Sequence, residues 1–151
     1  MEAALRSAYA LLTGQELEKL EVAAVRGFDG IKEASVRIGG LEVKAAVASG
    51  LGNARKLMDQ LRAGRKDLHF IEIMTCPGGC IAGGGQPVGA DVSAVKARMK
   101  ALYDLDAKAQ VRVSHQNKEV ARLYKEFLGK PLGHKSHELL HTHYHERKVV
   151  L

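Results

Sequence analysis

The run from Phe70 to Pro87, Phe-Ile-Glu-Ile-Met-Thr-Cys-Pro-Gly-Gly-Cys-Ile-Ala-Gly-Gly-Gly-Gln-Pro, constrains this chain more than any other stretch. A short apolar run, Leu68 to Met74, stops at a loop holding both cysteines, Cys76 and Cys80, separated by Pro77, Gly78 and Gly79. A second glycine run, Gly83 to Gly85, follows at once. Glycine and proline end regular structure, so the apolar run must be an element that delivers this loop. Two thiols four residues apart on such a turn can face one small object, and glycines let backbone approach it closely. Consecutive unobstructed amides form a nest that favours an anion. A thiolate-held iron–sulfur cluster meets all three conditions, but it usually takes four protein ligands, so two thiols are half a site. Other readings are a local disulfide, which needs an oxidising compartment, one half of a zinc site, and a phosphate cradle, although the Lys-Ser/Thr ending of a P-loop is missing. Each leaves the second glycine run and the Met-x-Cys lead-in without a role.

The flanking sequence reads as α/β (α+β), a small mixed sheet with a β-hairpin, flanked by helices and followed by a helical C-terminal region. Met1 to Leu12 has helical spacing, with Leu5, Ala8 and Leu12 on one side and Gly14 as a stop. No residue precedes Met1 to cap the first amides, which reads as a chain cut at, or just before, a helix. Apolar and polar residues alternate over Ile31 to Ile38 and Leu41 to Ala48 around Gly39-Gly40, the pattern of a hairpin with a two-residue turn. Asn53 is placed to cap a helix through Leu61 that ends at Gly64, with Ala54, Leu57, Met58 and Leu61 as its buried stripe and Lys56, Arg62 and Arg65 in solvent. The strand that carries the cysteine loop comes next. Asp91 opens a helix bearing Val92, Val95, Met99 and Leu102. Asn117 opens one with Val120, Leu123, Tyr124 and Phe127 at helical spacing until Gly129, and Ser136 opens a last short one. These stripes read as core. No internal repeat is visible, and the chain is taken as a single domain over 1–151, with a sheet and cysteine-loop part at 1–90 and a helical part at 91–151.

Composition sets the outer limits. At 151 residues the chain can bury roughly 70% of its unfolded surface. Its 46% apolar and 26% charged residues are ordinary for a globular protein. A formal charge of +6 is compatible with nucleic-acid binding, but no helix-turn-helix or RNA-binding signature accompanies it, so a partner-facing or solvated surface is preferred. No signal peptide or apolar run of membrane length is present. No nucleic-acid or membrane partner is expected, and the cysteines read as cytoplasmic ligands. Five of seven histidines fall between His134 and His145. His137 and His141 share a helical face and could bind zinc, but no Glu follows His137 in the metalloprotease pattern, so packing or docking is the preferred reading.

Glu72-Ile-Met74-Thr-Cys76-Pro-Gly-Gly-Cys80-Ile-Ala-Gly83-Gly-Gly-Gln-Pro87 resembles the last cysteine signature of the iron-only (FeFe) hydrogenases. The resemblance extends through Met1-Glu-Ala-Ala-Leu-Arg6, Gly27-Phe-Asp-Gly-Ile-Lys-Glu-Ala34, His69-Phe-Ile-Glu72, Ser114-His115, Arg122-Leu-Tyr124, Phe127-Leu-Gly-Lys-Pro131 and Lys135-Ser-His-Glu-Leu-Leu-His141. Essentially the whole chain is similar to the C-terminal part, one lobe, of that family's catalytic domain. The His-rich tail is also common in the family. The glycine-rich turn that precedes the first helix there is missing here.

The resemblance implies a cofactor, the H-cluster: a 4Fe-4S cubane held by four cysteines, one of which also bridges to a two-iron centre carrying CO and cyanide. By position, Cys76 would be a cubane ligand and Cys80 the bridging one. Met74 would pack its polarisable thioether against the two-iron centre. Amides of Gly78, Gly79, Gly83, Gly84 and Gly85 would donate to the cluster's sulfides, tuning its potential. Phe70, Ile71 and Ile73 would limit water access. The implied reaction is the reversible reduction of protons to hydrogen. The family's two earlier cysteine signatures, its proton-relay cysteine and glutamate and its accessory clusters have no counterpart here. The expected partner is therefore another chain or segment carrying the remaining two cysteine ligands, with NAD(P)/flavin and ferredoxin electron-transfer subunits beyond it. The chain alone is expected to be inactive. The tail resembles multi-subunit NAD(P)- and ferredoxin-linked enzymes. The alternative is a hydrogenase-like iron–sulfur assembly or scaffold protein, or a regulatory relative, without hydrogen turnover.

Overall fold

The computed structural model describes all residues except Leu20, Pro77, Ala90 and 147–151. Contacts divide the chain into two compact units, Met1–Arg112 and Val113–Leu151. The helix after the cysteine loop thus belongs with the sheet, whereas a division at 90/91 groups it with the helical end.

In the first unit, the described residues form one three-stranded sheet of β1 (Ile31–Ile38), β2 (Leu41–Ser49) and β3 (Phe70–Met74), in the order β1-β2-β3. The hairpin closes as expected, Ile38 opposite Leu41, because Gly39 and Gly40 both take positive φ, 55° and 89°, which a two-residue turn between twisted strands requires. Strand β3 returns parallel to β2, pairing Val47 with Glu72 and Ser49 with Met74. A parallel return needs a crossover, supplied by α2 (Leu51–Arg62). The helix starts before Asn53, on Gly50. Asn53 is therefore not the cap, and its side-chain amide donates back to the Ser49 carbonyl at 2.8 Å.

Strand β2 lies between two neighbours and is covered on both faces, so Ala45 to Ser49 is a continuous buried run. On one face Ala46 and Ala48 meet Leu57 of α2, with Ile31, Met58, Leu68 and Ile71 around them. Leu57 is fully buried, which contributes roughly 1.5–3 kcal/mol. On the opposite face Val47 packs with Ala34 and Val25, flanked by Met1, Val22 and Met74. Arg65 is not simply solvated: it grips both carboxylate oxygens of Glu33 at 2.7 and 2.6 Å and reaches Asp67 at 2.7 Å. That contact holds the Asp67 carboxyl down at about 2 and ties the exit from α2 to β1.

Helix α1 (Glu2–Thr13) ends on Gly14, whose N–H donates to the Ala10 carbonyl. Leu5 is buried as expected, but Leu12 is exposed and Arg6 is buried in its place. Helix α3 (Val92–Lys108) is capped by Asp91, which accepts from the Ala94 N–H at 2.8 Å. Val95 is its buried residue, while Val92 and Leu102 are exposed.

In the second unit, α4 (Lys118–Leu123) is capped by Asn117 and runs into a π-helical turn, Tyr124–Leu128. The extra residue in that turn shifts the phase of the helix. Leu128 is buried, and Leu123 and Phe127 of the expected stripe are exposed. The last helix, α5 (His134–Leu140), begins two residues before Ser136. Ser136 is buried, its hydroxyl donating toward the Lys130 and Gly133 carbonyls at 2.9 Å. No helix among the described residues is long and apolar enough to cross a membrane.

Candidate functional site

The sheet's pleat gathers the site. Paired residues point to the same face, so Lys32, Val47 and Glu72 form one row across the sheet, and Ser49 and Met74 form the next. Strand β3 ends at Met74, whose carbonyl accepts from the Gly50 N–H at 2.7 Å. The cysteine loop leaves from this pinned end. The Gly79 N–H closes a turn onto the Cys76 carbonyl at 3.1 Å, and the Ile81 N–H donates to the Gly79 carbonyl at 2.9 Å.

A cavity of about 270 Å³ opens on this face. Met74, Gly78, Gly79 and Cys80 line it together with Lys32, Glu72, Val47 and, from α3, Met99, Leu102 and Tyr103. Cys80 also lines a second cavity of about 320 Å³, with Gln86 and Arg98. Both cysteines are free thiols, Cys80 exposed and Cys76 half-buried, so the local disulfide is not formed. Cys76, Gly83, Gly84 and Gly85 do not line the first cavity. The Cys76 Sγ is only 3.2 Å from where a Gly83 Cβ would stand. The Gly79 amide is engaged in the turn rather than directed outward. Phe70 and Ile73, expected to exclude water, are 45% and 43% exposed because β3 is an edge strand among the described residues.

Glycine is required at two of these positions. Gly78 has φ 76°, and a Cβ there would lie 2.8 Å from the Phe28 ring. Gly79 has φ 99°, and its Cβ would touch the Met74 sulfur at 3.4 Å. Gly78→Ala is expected to destabilise the unit by about 1–2 kcal/mol from backbone strain alone. Chemical denaturation measures this, and an unchanged midpoint would contradict the loop geometry.

Three residues of the site have no role that the sequence alone assigns: Lys32 and Glu72, within the stretches that resemble the hydrogenases, and Ser49. Lys32 is 6% exposed, and its ammonium donates to the Gly27 carbonyl at 2.8 Å. Glu72 accepts from the Met1 amine at 2.9 Å. Ser49 is 3% exposed, and its hydroxyl has no partner. The signal for Lys32 lay in its phase: along β1 it alternates with Ala34, Val36 and Ile38, the apolar set. Ser49 likewise continues the phase of Ala45 and Val47. Tyr103 closes the rim, its hydroxyl accepting from the Gly27 N–H at 3.1 Å while Arg26 stacks over its ring.

Chemically, the arrangement offers soft sulfur donors, a thioether and an orphaned hydroxyl around a space walled by glycine backbone. Among the described residues no group of three or more His, Cys, Asp or Glu could close around a metal ion. The His137 and His141 rings are stacked, 4.2 Å between centroids, as a packed pair.

Comparison with known proteins agrees with this geometry. The family described as iron only hydrogenase large subunit, C-terminal domain, matches residues 1–84, and iron hydrogenase small subunit matches residues 92–147. The NADP-reducing hydrogenase subunit HndD of Solidesulfovibrio fructosivorans is 52% identical over 98% of this chain and 25% of its own length. An FeFe hydrogenase structure from Chlamydomonas reinhardtii superposes with a TM-score of 0.76 at 43% identity, over 95% of this chain and 43% of that one. Another, solved in a study of stepwise H-cluster assembly, gives 0.75 at 43% identity, over 95% and 44%. A cytosolic Fe-S cluster assembly factor of Danio rerio is 28% identical over 89% of this chain and 33% of its own length. The chain spans about a quarter of the length of the hydrogenases among its curated relatives. With its cysteine loop, its sheet and 84 of its residues matched in one register, the chain belongs to the iron-only hydrogenase family, in the C-terminal domain of the large subunit.

Proposed function

We propose that this chain is the part of an FeFe hydrogenase catalytic unit that supplies Cys76 and Cys80, two of the four cysteine ligands of the H-cluster. The observation that carries the reading is the pair of free thiols on a glycine-walled loop, one of them facing a cavity lined by the Met74 thioether. The residues fit the group. Thiolates are the donors iron–sulfur clusters take, glycines at 78 and 79 stand where side chains would press on Phe28 and Met74, and Ser49 keeps an unpaired hydroxyl beside Met74.

Bound, the cofactor supplies the reversible two-electron reduction of protons to hydrogen. Cys76 would hold the cubane. Cys80, set between two cavities, has the exposure a bridging ligand needs. Met74 presents a non-ionisable, polarisable wall. The Gly78, Gly83, Gly84 and Gly85 backbone lets a cluster approach closely. Two thiolates do not complete the site, so the other two come from a further polypeptide or segment, which makes this chain inactive by itself. Similarity to HndD favours an NADP-linked setting as one subunit of several, and flavin or ferredoxin partners are what the family resemblance implies.

The match to an Fe-S assembly factor favours a second reading, a cluster-holding scaffold without a two-iron centre. Infrared spectroscopy of the intact complex separates the two. Metal-bound CO and cyanide bands are expected for the hydrogenase, and a clustered protein without them is the scaffold.

A further inference from the structure

Burying a lysine is costly unless its charge is used. Lys32 sits in the otherwise apolar phase of β1 and lines the cavity that holds Cys80 and Met74. Its hydrogen bond to the Gly27 carbonyl leaves further N–H donors on the ammonium. Burial pushes its pKa down, while the Asp29 and Glu72 carboxylates draw it back up. Glu72 stands in the same row, across Val47, so a positive and a negative group flank the cavity floor.

We infer that Lys32 is an electrostatic residue of this site: its buried ammonium supplies fixed positive charge to the cavity that Cys80 lines and favours the reduced, more negative state of the cluster bound there. The inference rests on the hydrogenase reading above. Cluster potentials respond to nearby charge and to burial, and a unit charge acts more strongly where water is excluded. Glu72 keeps its ion pair with the Met1 amine but loses the more distant offset from Lys32, which shifts the potential in the same direction.

The test uses the assembled hydrogenase and titrates the cubane potentiometrically, followed by electron paramagnetic resonance. Lys32→Met is expected to move the midpoint to a more negative potential at unchanged iron content, with Lys32→Arg close to wild type. Lys32→Gln keeps a donor but not the charge and serves if the Met variant fails to fold; it is expected to shift as Met does. A wild-type midpoint in Lys32→Gln would reduce Lys32 to a structural tie to Gly27 and overturn the inference. A wild-type complex that binds no cluster overturns the hydrogenase reading and this inference with it. A clustered wild type whose Lys32 variants do not shift overturns this inference alone.

Discussion

Cys80→Ser, introduced into the assembled hydrogenase, is expected to bring hydrogen turnover to background while the polypeptide stays folded. Cys80 is exposed at the end of a tight turn, so the exchange of sulfur for oxygen disturbs no packing. What changes is the donor. A serine hydroxyl is a hard, weakly acidic ligand and a poor bridge between irons that take thiolate. Hydrogen evolution and circular dichroism on the same preparation check both halves. Retained turnover in the folded variant would remove Cys80 from the site. A variant that merely unfolds would show that the loop, not the ligand, is being tested, and Cys80→Ala then repeats the measurement without a polar group.

The second large effect is on stability. Asp106 of α3 accepts from Arg6 at 2.8 and 3.0 Å, from Arg26 at 3.0 Å and from Arg112 at 2.8 Å. Glu2 holds Arg26 from the other side at 2.9 Å, and Glu21 pairs with Arg112. Arg6 is 5% exposed, so removing its main carboxylate leaves a covered guanidinium short of counter-charge. Breaking one partner of such a buried pair costs about 3–5 kcal/mol. Asp106→Ala is expected to lose that much unfolding free energy in denaturant titration. Asp104→Ala, two residues away in an exposed pair with Lys100, is expected to lose about 1 kcal/mol or less. Equal losses would contradict the network. The guanidinium of Arg6, aided by Arg112, holds the Asp106 carboxyl far below the usual carboxylate range. Its stabilisation is therefore fully present above the ordinary aspartate value of about 4 and is lost progressively as pH falls from there through the lowered folded-state value. Wild type should resist acid more than Asp106→Ala.

The sequence states local instructions clearly and distant ones poorly. Alternation around Gly39-Gly40 encodes the hairpin, and the Asp91 and Asn117 caps mark their helices, because each rule acts within a few residues. The cysteine loop announces itself for the same reason. Arg6 and Asp106 lie 100 positions apart, so their pairing has no local signature, and a helical stripe alone places Leu12 inside and Arg6 outside. The π turn defeats the Val120–Phe127 periodicity by one residue. Asn53 looks like a cap but has its amide turned back to Ser49, because Gly50 already takes the cap position. Apart from falling in a hydrogenase-like stretch, Lys32 shows itself only as a charged residue in an apolar phase.

The alanines at 46 and 48 let Leu57 of α2 settle onto the central strand. The same helix is the lever arm between that strand and β3, whose last carbonyl is latched to Gly50. A methyl group too many at either alanine would therefore push Leu57 off the central strand and strain the crossover that brings the chain back to β3.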